Sequence, residues 1–146
     1  MKQPTLIKNE ISADGRFYNV IIGTDMGQFS GTVEIRPEDE SCRSNYFGWE
    51  LAEIKAQIQY ARANKKYYSA QLKALTVFLR NMSETRTYDT DAFWVKKMRE
   101  EIKVIDSLVT FWQSQIDYLK ESYHLKITTF DSFNSSRKRR EEYNCD

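Results

Sequence analysis

The longest regular pattern in the chain lies between Leu51 and Met82, LAEIKAQIQYARANKKYYSAQLKALTVFLRNM. Apolar side chains recur in it at alternating steps of three and four residues, and Lys65 is the one interruption. Because a helix brings such positions onto one face, this row predicts a helix with one side buried against a partner. The row consists of Leu51, Ile54, Ile58, Ala61, Lys65, Tyr68, Leu72, Leu75, Leu79 and Met82.

A second row with the same spacing follows after a short polar break. We place the first helix at residues 45–82, capped by Asn45, and the second at 90–125, capped by Asp89 or Thr90. The connection between them is short, so the second helix is expected to fold back antiparallel on the first. The second row consists of Val95, Met98, Ile102, Ile105, Val109, Trp112, Ile116, Leu119 and Tyr123.

The first third of the chain has a different character. All five glycines and both prolines lie at or before Gly48, so the residues that permit tight turns are confined there. Turn signals at Gly15 and Gly27 separate runs rich in strand-forming residues, which predicts a small antiparallel sheet within residues 3–36. The predicted strands are 3–11, 17–24 and 29–35, and residues 126–130 are a candidate fourth strand.

Together these patterns predict an α+β fold, with the small N-terminal sheet packed on a long two-helix hairpin. A chain of 146 residues is long enough for one buried core, so we expect a single domain over residues 1–133. Residues 134–146 are polar and are expected to form a flexible tail of mixed charge.

Composition and cysteine usage constrain the environment. The net charge is +1, so no global field favours nucleic acid or membrane. Cys42 and Cys145 match no zinc-binding spacing, and two lone thiols favour a reducing compartment. The sequence shows neither a signal peptide nor an apolar run of membrane-spanning length, so a cytoplasmic location is expected.

Catalytic patterns are scarce. His124 is the one histidine, which excludes a histidine pair as a metal or acid–base site. Neither GxxxxGK[ST] nor GxGxxG occurs, so no phosphate-binding loop is indicated. We therefore expect no enzyme activity, no cofactor and no metal.

Beyond the buried rows, the two predicted helices share a second apolar side. This side is rich in aromatic residues, and an antiparallel hairpin brings the flanks of the two helices that carry them together. The small sheet is long enough to cover only about half of this apolar side. The remainder predicts self-association, with a twofold dimer favoured; the alternative is that the tail and linker cover it. The expected partner-binding residues are Tyr60, Tyr67, Trp94, Phe111 and Tyr118.

The first predicted helix also carries a row of small residues, Ala56, Ala63, Ala70 and Val77, on its outer side. Small side chains spaced by seven permit close approach of another helix. They are equally typical of an exposed helical face, because alanine is the best helix former, and this second interpretation is slightly favoured.

Basic residues are concentrated on the first predicted helix, where residues 44–83 hold six basic and two acidic side chains. This pattern indicates contact with phosphates or with an acidic protein surface; the alternative is a solvated face that complements the acidic second helix. The candidate contacts are Arg62, Lys66, Lys73 and Arg80 in the helix and Arg137, Lys138, Arg139 and Arg140 in the tail.

Three hypotheses of function follow. The first is a non-enzymatic, homodimeric interaction protein that blocks or scaffolds another macromolecule, which is also the style of viral accessory and inhibitor proteins, although no motif carries that likeness. The second is a nucleic-acid-binding protein that uses the basic residues. The third is a protein that binds a nucleotide-like ligand at a subunit junction through Arg62, Tyr67 or Trp94.

Overall fold

The computed structural model describes residues 3–35, 46–85 and 89–144, and within these the side chains of residues 3–35, 48–81 and 93–129. Three strands precede two long helices, which confirms the predicted α+β fold. The elements are β1 (Thr5–Ile11), β2 (Phe17–Thr24), β3 (Gly27–Glu34), α1 (Tyr46–Thr85) and α2 (Asp89–Asn144).

The sheet is an antiparallel meander in the order β1-β2-β3. The pairing of β2 with β3 is regular from Phe17 opposite Glu34 to Thr24 opposite Gly27. The pairing of β1 with β2 shifts by one residue between Leu6 and Lys8. Both predicted turns are present, and Gly15 and Gly27 occupy them with positive φ of 74° and 110°, where a Cβ would be strained.

The chain divides into two compact units. The first unit comprises Met1–Tyr60 and Asp117–Asp146, and the second comprises Ala61–Ile116. Each of the two helices contributes residues to both units. The expectation of a single domain over residues 1–133 stays a prediction.

The core of the first unit lies between the sheet and the start of α1. Tyr18, Val20 and Ile22 alternate along β2 and are almost completely buried. Gly31, opposite Val20 on β3, lies against the backbone of α1 at Ala52 and Ala56. The small side chains of α1 on this side therefore let the sheet approach the helix backbone directly.

The two helices run antiparallel in both units, which confirms the predicted hairpin. In the first unit, Lys126 on α2 forms an ion pair of 2.5 Å with Glu50 on α1. In the second unit, the Lys65 ammonium donates a hydrogen bond to the side-chain carbonyl of Gln113. Lys65, which interrupts the apolar row and is half-buried, thus reaches across the helix pair to a polar partner.

Helix α2 is longer than expected and corrects two predictions. It continues to Asn144, so the end near Leu125 and the candidate fourth strand at 126–130 are wrong. No glycine or proline follows Gly48 to stop the helix. The hydroxyls of Thr128 and Thr129 donate to carbonyls four residues earlier, at 3.0 and 2.9 Å, and are accommodated inside it. The proposed cap Asn45 lies outside the described residues.

Gly31→Ala is expected to destabilise the protein strongly. A Cβ at this position would lie 2.6 Å from the backbone nitrogen of Ala56, and closer still to the carbonyl oxygen of Ala52, so the helix must move off the sheet. We expect a loss of about 3 kcal/mol in the free energy of unfolding, measured by urea denaturation. The neighbouring exposed Ser30→Ala is the control and should change stability by less than about 0.5 kcal/mol. An unchanged midpoint for Gly31→Ala would contradict this packing.

The turn between β1 and β2 predicts a pH dependence. Hydrogen bonds from the Ser12 hydroxyl and the Arg16 amide to the Asp14 carboxylate lower the pKa of Asp14 below its usual 3.8. A group whose pKa is lower in the folded state stabilises the fold above its unfolded pKa, and this contribution is lost as the pH falls through the folded pKa. The stability difference between the parent protein and Asp14→Asn should therefore shrink below pH 3.8, as measured by urea denaturation across the acid range. A difference that is constant with pH would contradict it.

Candidate interaction surface

The second unit exposes a group of large apolar side chains beside the helix–helix contact. We call it the aromatic surface, and its members are 40–62% exposed. On α1 two members are eleven residues apart, and on α2 two are seven apart, so each pair returns to nearly the same side after whole turns. The aromatic surface consists of Tyr67, Phe78, Trp94, Val104 and Phe111.

Two of its rings pack against neighbouring rings of the helix–helix contact. Tyr67 packs edge-on against Tyr68, and Phe111 packs edge-on against Trp112, each with ring centroids 5.2 Å apart. The Gln71 amide also donates a hydrogen bond of 2.8 Å to the Tyr67 hydroxyl. Aromatic side chains that are ordered before binding lose little conformational entropy on binding.

The apolar row that joins the two helices is itself incompletely covered in the second unit. Trp112 and Ile116 are buried. In contrast, Leu72, Leu75 and Leu79 on α1 are only half-buried. Two helices in contact cannot enclose their shared apolar row as a bundle of three or four helices does. The second unit thus leaves both this row and the aromatic surface partly open to water.

One predicted member of the exposed group is placed differently. Tyr60 is 5% exposed; its hydroxyl donates a hydrogen bond of 2.7 Å to Asp25, and its ring lies 5.7 Å from that of Phe29. The turn between β2 and β3 covers it, so its expected exposure was wrong. Tyr67, Trp94 and Phe111 are exposed in the second unit, and Tyr118 is exposed in the first.

Three further exposed apolar residues, Phe78, Val104 and Phe93, were not among the expected partner-binding residues. Phe93 is 64% exposed and packs edge-on against Trp94, with ring centroids 5.4 Å apart. Beside Val104 the surface has an open depression of about 340 Å³, which Lys97, Glu100 and Glu101 also line. A group bound in this depression would contact the apolar side chain of Val104 and would lie beside both a lysine and two glutamates.

The basic residues of α1 lie on another side of the same helix. Arg62, Lys66, Lys73 and Arg80 are all exposed. Lys66 and Tyr67 are consecutive, so their directions differ by about 100° around the helix axis. The predicted contacts at Arg137, Lys138, Arg139 and Arg140 have side chains outside the described set.

The described residues form no evident metal site and no membrane span. No group of three or more His, Cys, Asp or Glu side chains there is arranged to hold a metal ion. Neither described helix contains an apolar stretch long enough to cross a bilayer. Comparison of the chain with protein-family models, with curated proteins and with solved structures gives no match.

Tyr60→Phe tests how firmly the sheet covers this tyrosine. Removing the hydroxyl deletes the hydrogen bond to Asp25, and we expect a loss of about 1 kcal/mol in the free energy of unfolding. Tyr118→Phe is a matched control, because Tyr118 is 66% exposed and the same change should be nearly neutral. Equal effects of the two substitutions in thermal or urea unfolding would show that Tyr60 does not make this contact.

Proposed function

We propose that the chain is a non-enzymatic interaction protein that forms a homodimer through the aromatic surface. The observation that carries the proposal is the partial exposure, in one compact unit, of both the aromatic surface and the leucines of the helix–helix contact. A second hairpin packed on this side would complete a four-helix arrangement. That arrangement is the ordinary way in which amphipathic helices bury such rows.

The area involved is appropriate for a dimer contact. Each of the five side chains can contribute about 100 Å² if it becomes buried, which gives about 500 Å² per copy before polar neighbours are included. Stable interfaces bury about 800 Å² per partner. The flanking polar side chains and the half-buried leucines supply the remainder.

The charges beside the aromatic surface favour a second copy of this chain. Lys97 and Glu101 flank it on α2, with the Lys97 ammonium 5.4 Å from the centroid of the Trp94 ring. A twofold axis brings the same patch of both copies together. Lys97 of one copy can then meet Glu101 of the other, so opposite charges face each other without any further partner.

The dimer would bind or scaffold another macromolecule through the surfaces that remain outside this contact. The hypothesis of a nucleotide-like ligand held by Arg62, Tyr67 or Trp94 stays a prediction, because it needs a subunit junction.

Phe78→Ser is expected to weaken the dimer. Truncating an aromatic anchor of an interface typically costs about 2 kcal/mol, and a twofold dimer loses this residue from both copies, so the dissociation constant should rise about 1,000-fold. Sedimentation equilibrium measures it, with the parent protein expected at twice 17.3 kDa. The control is the adjacent Val77→Ser. Val77 is also exposed, at 42%, but its direction differs from that of Phe78 by about 100° around the helix axis, so this substitution should leave the dimer intact.

The two arms of this experiment give distinct outcomes. Dissociation by Phe78→Ser with an intact Val77→Ser dimer supports the proposal. A parent protein that sediments as a 17.3 kDa monomer at all concentrations would overturn it, as would equal weakening by both substitutions. Circular dichroism of each variant verifies that the helices remain folded.

A further inference from the structure

The outer side of α1 in the second unit carries a row of cations that we call the basic stripe: Arg62, Lys66, Lys73 and Arg80. Lys66, Lys73 and Arg80 follow at steps of seven residues, about 10.5 Å apart along the helix, and Arg62 lies one turn before them. The whole stripe spans about 27 Å. All four side chains are exposed.

The charge of the stripe is not balanced locally. Residues 61–83 contain five basic side chains and no acidic one, and the fifth, Lys65, is used in the contact with Gln113. Within the part of the chain that the structure describes, none of the four stripe residues makes an ion pair or side-chain hydrogen bond. Cations four residues apart, as Arg62 and Lys66 are, repel each other slightly in a helix. The stripe therefore weakens the isolated helix and gains most from an external anion.

The imbalance extends to the whole second unit. Residues 61–116 hold ten basic and six acidic side chains, a net charge of +4, whereas the rest of the chain has a net charge of −3. The overall value of +1 conceals this separation. A polyanion would be attracted to the second unit in particular, an electrostatic effect that also accelerates association.

We infer that the basic stripe binds the phosphate backbone of a nucleic-acid strand without reading its sequence. Phosphates repeat at every nucleotide with one sign, and the stripe likewise presents one sign along its length. Acidic protein surfaces usually contain basic side chains among the acidic ones. A stripe that binds such a surface would be expected to include acidic side chains as well. Ala63 and Ala70 lie alongside the cations, and their small side chains leave room for a strand to approach the helix.

The aromatic surface and the basic stripe point in different directions on α1, so one can be occupied while the other is bound. The inference does not require the dimer. It would, however, identify the kind of macromolecule that the proposed interaction protein binds.

The experiment measures binding of a fluorescent oligothymidylate of about 20 nucleotides by anisotropy, with a duplex of equal length as a second arm. Non-specific affinities at physiological salt are about 1–100 µM, so the titration extends to about 100 µM protein. Four phosphate contacts on a single strand predict a slope of about −2.8 for log K against log salt. Raising the salt from about 50 to about 200 mM should therefore weaken binding about 50-fold.

The test variant carries Lys66→Gln, Lys73→Gln and Arg80→Gln. With one stripe cation left, the salt slope should fall to about −0.7 and the affinity at low salt should drop at least about 30-fold. The control carries Lys96→Gln, Arg99→Gln and Lys103→Gln, which removes the same number of lysines and arginines from exposed positions of α2 in the same unit. We expect the control to bind within about threefold of the parent protein.

Each outcome decides the matter. Selective loss of binding in the stripe variant supports the inference. It is overturned if the parent protein binds neither oligonucleotide, if both triple variants lose affinity equally, or if the parent protein binds poly-glutamate but neither oligonucleotide. The last result would assign the stripe to an acidic protein instead. Sedimentation of the stripe variant should give the parent mass, so failure here is distinguishable from failure of the dimer.

Discussion

The close approach of α1 to the sheet is the contact on which the rest of the structure depends. Gly31 lies against the backbone at Ala52 and Ala56, and Gly48 lies against the ring of Tyr18. A side chain at either glycine would push the sheet and α1 apart. The absence of a Cβ at both positions therefore allows the sheet to pack directly on the first turns of α1. The sheet extends its cover as far as Tyr60, whose hydroxyl is bonded to Asp25 in the turn between β2 and β3.

The second unit has an open apolar side. Its described residues belong to the two helices alone, and a pair of helices leaves its shared row half-exposed, as at Leu72 and Leu75. In the aromatic surface, the rings of Tyr67 and Phe111 pack against the neighbouring rings of Tyr68 and Trp112. The unit therefore combines a need for further burial with ordered side chains that can supply it, and the basic stripe on another side of α1 remains available to a different partner.

Periodicity in the sequence was sufficient for the strands, their turns and the helical hairpin, because each has a local signal. Periodicity was insufficient where contacts between segments distant in sequence determine whether a residue is buried. Tyr60 has the spacing of an exposed residue, but the turn near Asp25 covers it. The run at residues 126–130 has strand-forming residues, yet it continues the preceding helix because nothing terminates it. For Ala56 the slightly favoured interpretation, an exposed helical face, was wrong: the residue is buried, and its small side chain permits close approach of the sheet and not of another helix.

We propose that the aromatic surface is buried between two copies of the chain. Hydroxyl-radical footprinting across a dilution series tests it most directly, because it reports the exposure of individual side chains. We expect oxidation of Tyr67, Trp94 and Phe111 to increase as the protein is diluted, whereas oxidation of Tyr118, which is exposed in the first unit, should stay constant. Oxidation of the three residues that is high and independent of concentration would contradict it.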